Sequence, residues 1–507
     1  MTLLSRISGL VRDVIFAGLI GAGTGIAADA FYVAFRIPNF LRRIFGEGAF
    51  ATAFVPVFTE HKQRDSHQQL RAFTDRMTGT FGLVLLAVTA IGVLAAPGLV
   101  AIMAPGFDAA KSALTTDMLR LTFPYLFFIS LVALSAGILN SYGRFGVAAF
   151  TPVLLNLCLI GSALWLAPRL DEPVMALAWG VLLAGMVQLL FQLPFLARMD
   201  MLPRPKVTRD HDGVAKVFRL MLPAIFGVSV SQINTLINTV IASFLATGSV
   251  SWLYYSDRLM EFPLGVFGIA LATVILPSLS KSHAARSQDE FERLLDWGLR
   301  VTLLICIPAT AGLIVLASPL VVSIYFRGAF TPNDVTMTTA ALMAFAAGLP
   351  AFALVKVLAP GFYARQDTKT PVRIGVQAML TNIVLSMVLA WPLRHVGLAL
   401  AISLAACVNG ALLYRRLRRD GVYTPLPGWT VFLARIAGAT LVMTILLATF
   451  AGAPETWLAA STGERVLRLG FWVMMGIAAY TATLFVLGVR PRELRLARPR
   501  APSREPS

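Results

Sequence analysis

Asp29-Ala-Phe-Tyr-Val-Ala-Phe-Arg36-Ile-Pro38-Asn-Phe-Leu-Arg42-Arg43-Ile-Phe-Gly-Glu47 is apolar enough to cross a membrane, yet it carries three arginines. Just upstream, Leu3-Leu-Ser-Arg6 and Gly9-Leu-Val-Arg12-Asp13 repeat the anomaly. An ionised side chain at the centre of a bilayer costs at least ~2.5–3.5 kcal/mol, so such arginines face a protected, wet interior and not lipid. Their chemistry suits an anion. Asp29, Arg36 and Arg43 are seven apart, about two helical turns, with Glu47 one turn further, so a continuous helix aligns all four on one stripe. Pro38 removes a backbone donor and predicts a kink that turns Arg42 toward the same side.

The rest of the chain supplies the setting. Its 507 residues are 57% hydrophobic and 14% charged with a mean hydropathy of +0.74, which excludes an ordinary soluble domain and predicts an all-α polytopic membrane protein. Runs of about 20 residues, the length that crosses a ~30 Å hydrocarbon core, occur fourteen times. They lie at 3–20, 30–58, 77–97, 118–140, 150–167, 175–197, 220–246, 258–276, 301–317, 337–363, 374–391, 397–414, 429–451 and 466–489. Alternate connecting segments hold 28 Lys and Arg on one side and 5 on the other, which puts both termini in the cytoplasm. That division also accounts for much of the net charge of +17 as orientation signal and contact with membrane lipids. No nucleic-acid partner is implied.

An internal repeat organises these spans. Ala30-Phe-Tyr-Val-Ala-Phe-Arg36-Ile-Pro38 and Trp252-Leu-Tyr-Tyr-Ser-Asp-Arg258-Leu-Met-Glu-Phe-Pro263 both end an aromatic run in Arg and then Pro, and both continue to a further proline, Pro56 or Pro277. Each lies in the second span of a six-span set. The expected organisation is an N-terminal lobe 1–197, a cytoplasmic linker 198–219, a C-terminal lobe 220–414, two further helices within 429–489 and a basic tail 490–507. Two parallel repeats imply a cleft between lobes.

Charge counting separates the readings of the arginines. Ion pairing alone does not explain them, because Arg6, Arg12, Arg36, Arg42 and Arg43 outnumber Asp13, Asp29 and Glu47. Arg258, flanked by Asp257 and Glu261, adds a donor from the second set, with those two acids near the outer end of its span as gate partners. A surplus of planar guanidinium forks suits a diphosphate. Catalysis has little support: there is no nucleotide-binding loop, no His-Glu-x-x-His and no Cys/His ligand spacing, and Cys158, Cys306 and Cys407 lie within spans, so no cofactor or metal is expected.

These strings, with Tyr254-Tyr-Ser-Asp257-Arg258-Leu-Met-Glu261-Phe-Pro263-Leu-Gly265 and Leu276-Pro277-Ser-Leu-Ser-Lys281, resemble the MurJ (MviN) lipid II flippases of the multidrug/oligosaccharidyl-lipid/polysaccharide exporter superfamily over nearly the whole chain. The resemblance implies transport of an undecaprenyl-diphosphate-linked peptidoglycan precursor across the bacterial cytoplasmic (inner) membrane, with the cell-wall synthesis machinery as an implied partner. It implies substrate binding by Arg6, Arg12, Asp29, Arg42 and Arg258, with Arg36 where some members carry Lys, a gate containing Arg43 and Glu47, and a lipid-tail groove on the last two helices. Two departures stand out. Met1 lies only five residues before Arg6, so it reads as a late start. The sodium ligands of some members would fall on spans seven and eleven, which offer Asn234, Asn238, Asn382 and Ser386 and no carboxylate, so sodium coupling is not expected. Export of another lipid-linked oligosaccharide or a drug is the alternative within transport. A cationic-drug exporter would carry an excess of cavity acids, and a membrane glycan polymerase would need a catalytic acid in an outer loop.

Overall fold

A computed structural model describes residues 2–23, 25–43, 49–208, 211–285 and 287–490, with the backbone alone over 2–3, 226–231 and 266–274. Among the described residues there are α-helices, short 3-10 and π turns, and no strand. Glu47 and most of the basic tail lie outside the described residues.

In chain order the helices are α1 (Thr2–Ile20), α2 (Ala27–Arg42), α3 (Ala49–Arg64), α4 (His67–Leu94), α5 (Ala96–Met103), α6 (Ala109–Thr122), α7 (Tyr125–Ser141), α8 (Phe145–Gly161) and α9 (Met175–Ala197). They continue as α10 (Asp212–Ser243), α11 (Ser249–Ala284), α12 (Gln288–Val315), α13 (Ala317–Tyr325), α14 (Pro332–Ala347), α15 (Leu349–Tyr363), α16 (Lys369–Arg419), α17 (Trp429–Phe450), α18 (Pro454–Ala459) and α19 (Thr462–Val486). Among the described residues nine helical stretches are long and apolar enough to cross a membrane. α1, with Arg6, Arg12 and Asp13, and α2, with only 16 residues, are not among them.

Local chemistry explains the breaks. α2 runs through Pro38 as far as Arg42, so the proline does not end the helix. Ser66 starts α4 with a reciprocal capping box to Gln69, and Asp108 caps α6 by accepting from the Lys111 N–H at 2.8 Å. Pro124 separates α6 from α7, so the segment that hydropathy assigns to an outer loop, 98–117, is largely helical. α16 is two helices meeting at Arg394, whose φ of 53° is non-helical. Gly397 sits there against the Leu389 carbonyl, where a Cβ would come within 2.1 Å.

Element boundaries recur at a nearly constant interval. α2 and α11 start 222 residues apart, at Ala27 and Ser249; α4 and α12 start 221 apart; α7 and α15 end 222 apart; and α9 and α16 end 222 apart. Such regularity over more than 150 residues is the mark of one supersecondary unit used twice.

By packing, the chain divides into two compact units, Met1–Ser251 with Arg327–Thr331, and Trp252–Phe326 with Pro332–Ser507. Within the first, α10 packs against α3, α4 and α5, α2 against α6, and α1 against α8. Its interior is a phenylalanine ladder in which Phe50 stacks on Phe81 at 4.4 Å and on Phe54 at 5.1 Å, all fully buried. Between helices in lipid the gain comes from close packing and not from escape from water. Within the second unit, α15 packs on α16, and α17 lies against α12 and α19.

Candidate functional site

Arg36 and Arg42 on α2, and Arg43 just past its end, reach different side chains. Arg36, half-buried, donates through Nη1 to the Thr239 hydroxyl on α10. Arg43 donates to Gln232 Oε1, also on α10, at 3.1 Å. Arg36 and Arg43 are seven apart and so are Gln232 and Thr239, so the two helices run antiparallel with these side chains as rungs. Arg42 points to another side, where its Nε donates to Asn39 Oδ1 at 3.0 Å, one turn back on the same helix. Each of the three has a neutral acceptor among its partners.

Asp29, two turns before Arg36 on the same helix, bonds to other partners. It is 1% exposed, and its Oδ2 meets Lys111 Nζ at 2.8 Å and the Gly248 N–H at 2.8 Å. Its Oδ1 accepts from the Ser251 N–H at 2.9 Å and the Ser251 hydroxyl at 2.6 Å. Four donors fill the acceptor positions of a carboxylate, so in this state Asp29 neutralises Lys111 and not Arg36. Lys111 in turn lies over the Phe107 ring at 4.2 Å. The sequence reading passed over Lys111 as a loop residue. The available signal was that it is the one basic residue in the outward stretch 98–117.

Arg12 is also buried, at 5% exposure, between α1 and α8. Its Nε and Nη2 donate to Asp13 Oδ1 at 3.0 and 2.7 Å, and its Nη1 donates to Asn156 Oδ1 at 3.1 Å. Asn156 then donates to the Ser5 carbonyl and the Ser8 hydroxyl, at 3.1 and 2.9 Å, which fixes its amide. Asn156 carries no charge and no motif, so the sequence alone did not single it out. Arg6 lies half-buried on the same helix.

In the second unit Arg258 is exposed, donating to Glu261 Oε2 at 3.1 Å and to the Tyr254 hydroxyl at 3.3 Å, with its guanidinium 5.2 Å from the Tyr254 ring centre. Asp257 is half-buried beside it and Glu261 exposed. The structure therefore brings Arg36 and Arg43 together along α10, sends Arg12 and Asp29 into buried networks, and pairs Arg258 with its neighbouring acid. Among the described residues no group of His, Cys, Asp and Glu has the makings of a metal site.

The second unit also holds an apolar cavity of about 580 Å³ between α12, α15, α16 and α17, with Leu299, Leu354, Cys407, Ala411, Pro425 and Trp429 in its wall.

Comparison with known proteins adds independent findings. A family model described as lipid II flippase MurJ matches residues 16–467. A probable lipid II flippase MurJ of Vibrio cholerae is 50% identical over 506 residues, covering 98% of this chain and 96% of its own. The lipid II flippase MurJ of Burkholderia cenocepacia is 42% identical, covering 96% of each chain. Among solved structures, a lipid II flippase MurJ in an inward closed conformation superposes with a TM-score of 0.80 at 26% identity, over 96% of this chain and 97% of its own. An inward-facing multidrug resistance transporter of the MATE family has the same fold, with a TM-score of 0.68 at 16% identity over 82% of this chain and 95% of its own.

Proposed function

The chain belongs to the lipid II flippase MurJ family, and on that premise we propose that it carries the undecaprenyl-diphosphate-linked disaccharide-peptide from the cytoplasmic to the outer leaflet of the bacterial inner membrane. It is a multi-pass membrane transporter and not an enzyme. Fourteen crossings, two parallel six-span sets and cytoplasmic termini complete the proposed topology, with the polyprenyl tail kept in an apolar groove on the C-terminal helices while the headgroup passes through the interior. Its substrate, lipid II, is the partner this reading names.

One observation carries the assignment: Arg36 and Arg42 sit half-buried on α2 with Thr239 and Asn39 among their acceptors, while buried Asp29 on the same helix is paired with Lys111. A planar guanidinium fork can donate two bonds to the oxygens of a diphosphate. Arg6 and Arg258 are assigned to the same headgroup. Arg43, Glu47, Asp257 and Glu261 are assigned to the gate. Arg12 and Asp29, buried in this state, enter the site as the lobes rock and their partners exchange.

The test is complementation of flippase-depleted cells together with lipid II translocation. Wild type restores growth; Arg36→Ala, Arg42→Ala and Arg258→Ala at normal membrane levels lose it; Arg42→Lys keeps part of the rate, since an ammonium supplies a point charge without the fork. Alanine variants that rescue fully would remove the arginine site, and a wild type that does not rescue would point to another lipid-linked oligosaccharide.

A further inference from the structure

α7, α8 and α9 carry no charged side chain, yet polar atoms are buried among them. Gln192 on α9 is fully buried, and neither its Oε1 nor its Nε2 meets a hydrogen-bond partner among the described residues. One turn earlier, buried Gln188 donates through Nε2 to the Thr151 carbonyl on α8 at 2.7 Å, and its Oε1 has no partner among the described residues. On α7 the Ser130 hydroxyl is fully buried and likewise unpartnered among them.

These atoms lie at one level of the unit. Gly185 faces Tyr125 and Phe128, since a Cβ there would come within 2.9 and 3.0 Å of them, and Leu196 shares a cluster with Leu134 and Ile138. α7 and α9 therefore run parallel. Gln188 and Gln192 fall between those two contacts on α9, level with the stretch of α7 that holds Ser130, and their spacing of four puts both on one face of the helix. α9 packs on α7 and on α8, so that face is enclosed by protein.

A buried amide without a partner has given up its bonds to solvent and gained none in return, and lipid supplies no replacement. What serves this set is decided by its donors and acceptors. Gln188 Oε1 and Gln192 Oε1 accept, Gln192 Nε2 donates, and a serine hydroxyl does either. A metal cation would satisfy the oxygens, strand the Nε2 donor, and bring a charge among three helices with no carboxylate to balance it. Water both donates and accepts, and a buried water makes about three hydrogen bonds to groups of this kind.

We propose that Ser130, Gln188 and Gln192 form an internal hydration site that holds ordered water between α7, α8 and α9. The site is a property of the first unit and not of the repeat, because 222 residues later the same positions are Phe352, Gly410 and Tyr414, none of which has a side-chain amide. It does not depend on what the protein transports.

The test uses the full chain, purified and reconstituted in nanodiscs, and turns on the sign of one substitution. With water serving the amide, Gln192→Leu strands Gln188 Oε1 and the Ser130 hydroxyl and lowers Tm by about 2–4 °C. A dry amide behaves oppositely, since leucine removes the stranded group, so a Tm that rises or stays level overturns the proposal. Poor packing of the new side chain would also lower Tm, and the triple variant Ser130→Ala, Gln188→Leu, Gln192→Leu tells the two apart. With no polar group left to hydrate it is expected to recover most of the loss; a triple variant no better than the single one overturns the site. X-ray hydroxyl-radical footprinting reads the water directly. Buried side chains in the peptide bearing Gln188 and Gln192 are expected to be oxidised in wild type and to lose that labelling in the triple variant, and equal labelling of the two overturns the proposal. A wild-type Tm that follows sodium or potassium, with choline as the control, puts a cation in place of water and overturns it as well.

Discussion

The first turns of α2 and α6 in one unit, and of α11 and α14 in the other, make the same contact with different chemistry. Asp29 meets Lys111 across 82 residues; Trp252 Nε1 donates to buried Asp334 at 2.8 Å, also across 82 residues and 223 positions further along. The repeat has kept the place of a buried polar contact and exchanged an ion pair for a neutral donor on a carboxylate. The consequence is local to each unit. In the first, the cation paired with Asp29 is Lys111, and Arg36, Arg42 and Arg43 have Thr239, Asn39 and Gln232 among their acceptors; in the second, Arg258 faces Glu261 one turn away.

The comparison can be broken most forcefully at the ion pair. Lys111→Met strands a buried carboxylate and is expected to cost about 3–5 kcal/mol, read as a lower Tm of the purified protein and poor membrane accumulation. Asp29→Asn combined with Lys111→Met should recover a large part of that loss, because no charge is left without a partner. A single Lys111→Met with normal Tm would mean that the hydrogen bonds from Gly248 and Ser251 alone satisfy Asp29.

The corresponding change in the second unit should do less. Asp334→Ala removes an acceptor and leaves the Trp252 N–H buried, a penalty of about 1–3 kcal/mol. Equal destabilisation at Lys111 and Asp334 would show that the two contacts are energetically alike despite their chemistry.

The smallest effect belongs to the linkers. The first enters α10 past His211, whose ring lies 5.7 Å from Phe73 and 6.2 Å from His61, the latter bonded to Asp65 at 2.5 Å. Burial first, then Arg76 and His61, depress the His211 pKa below 6.5, against the opposing pull of Asp212 and Asp65. A depressed histidine contributes stability that is complete above its ordinary pKa and lost as pH falls toward the folded value. His211→Gln should therefore flatten the drop in Tm between about pH 8 and about pH 5.5. The second linker enters α17 past Trp429 and has no histidine between Asp420 and Trp429 to respond in this way.

Much of this was legible in the chain. An all-α membrane fold follows from apolar run length, and the arginines of α1 and α2 stand out because charge in such runs is costly. The kinship of Arg36 with Arg258 and of Pro56 with Pro277 anticipated the 222-residue interval seen in the helix boundaries. Where local pattern failed, it failed for local reasons: hydropathy hid α5 and α6 inside a loop.

Sequence by itself determined which side chains are anomalous and on which helical stripe each falls, since both follow from composition and a period of 3.6. Tertiary structure alone decided their partners. Lys111 for Asp29, Asn156 for Arg12 and Thr239 for Arg36 lie 82, 144 and 203 residues away, and nothing in a helical period reports what the neighbouring helix will present. A buried charge takes whichever donor packing delivers, and packing is settled between helices.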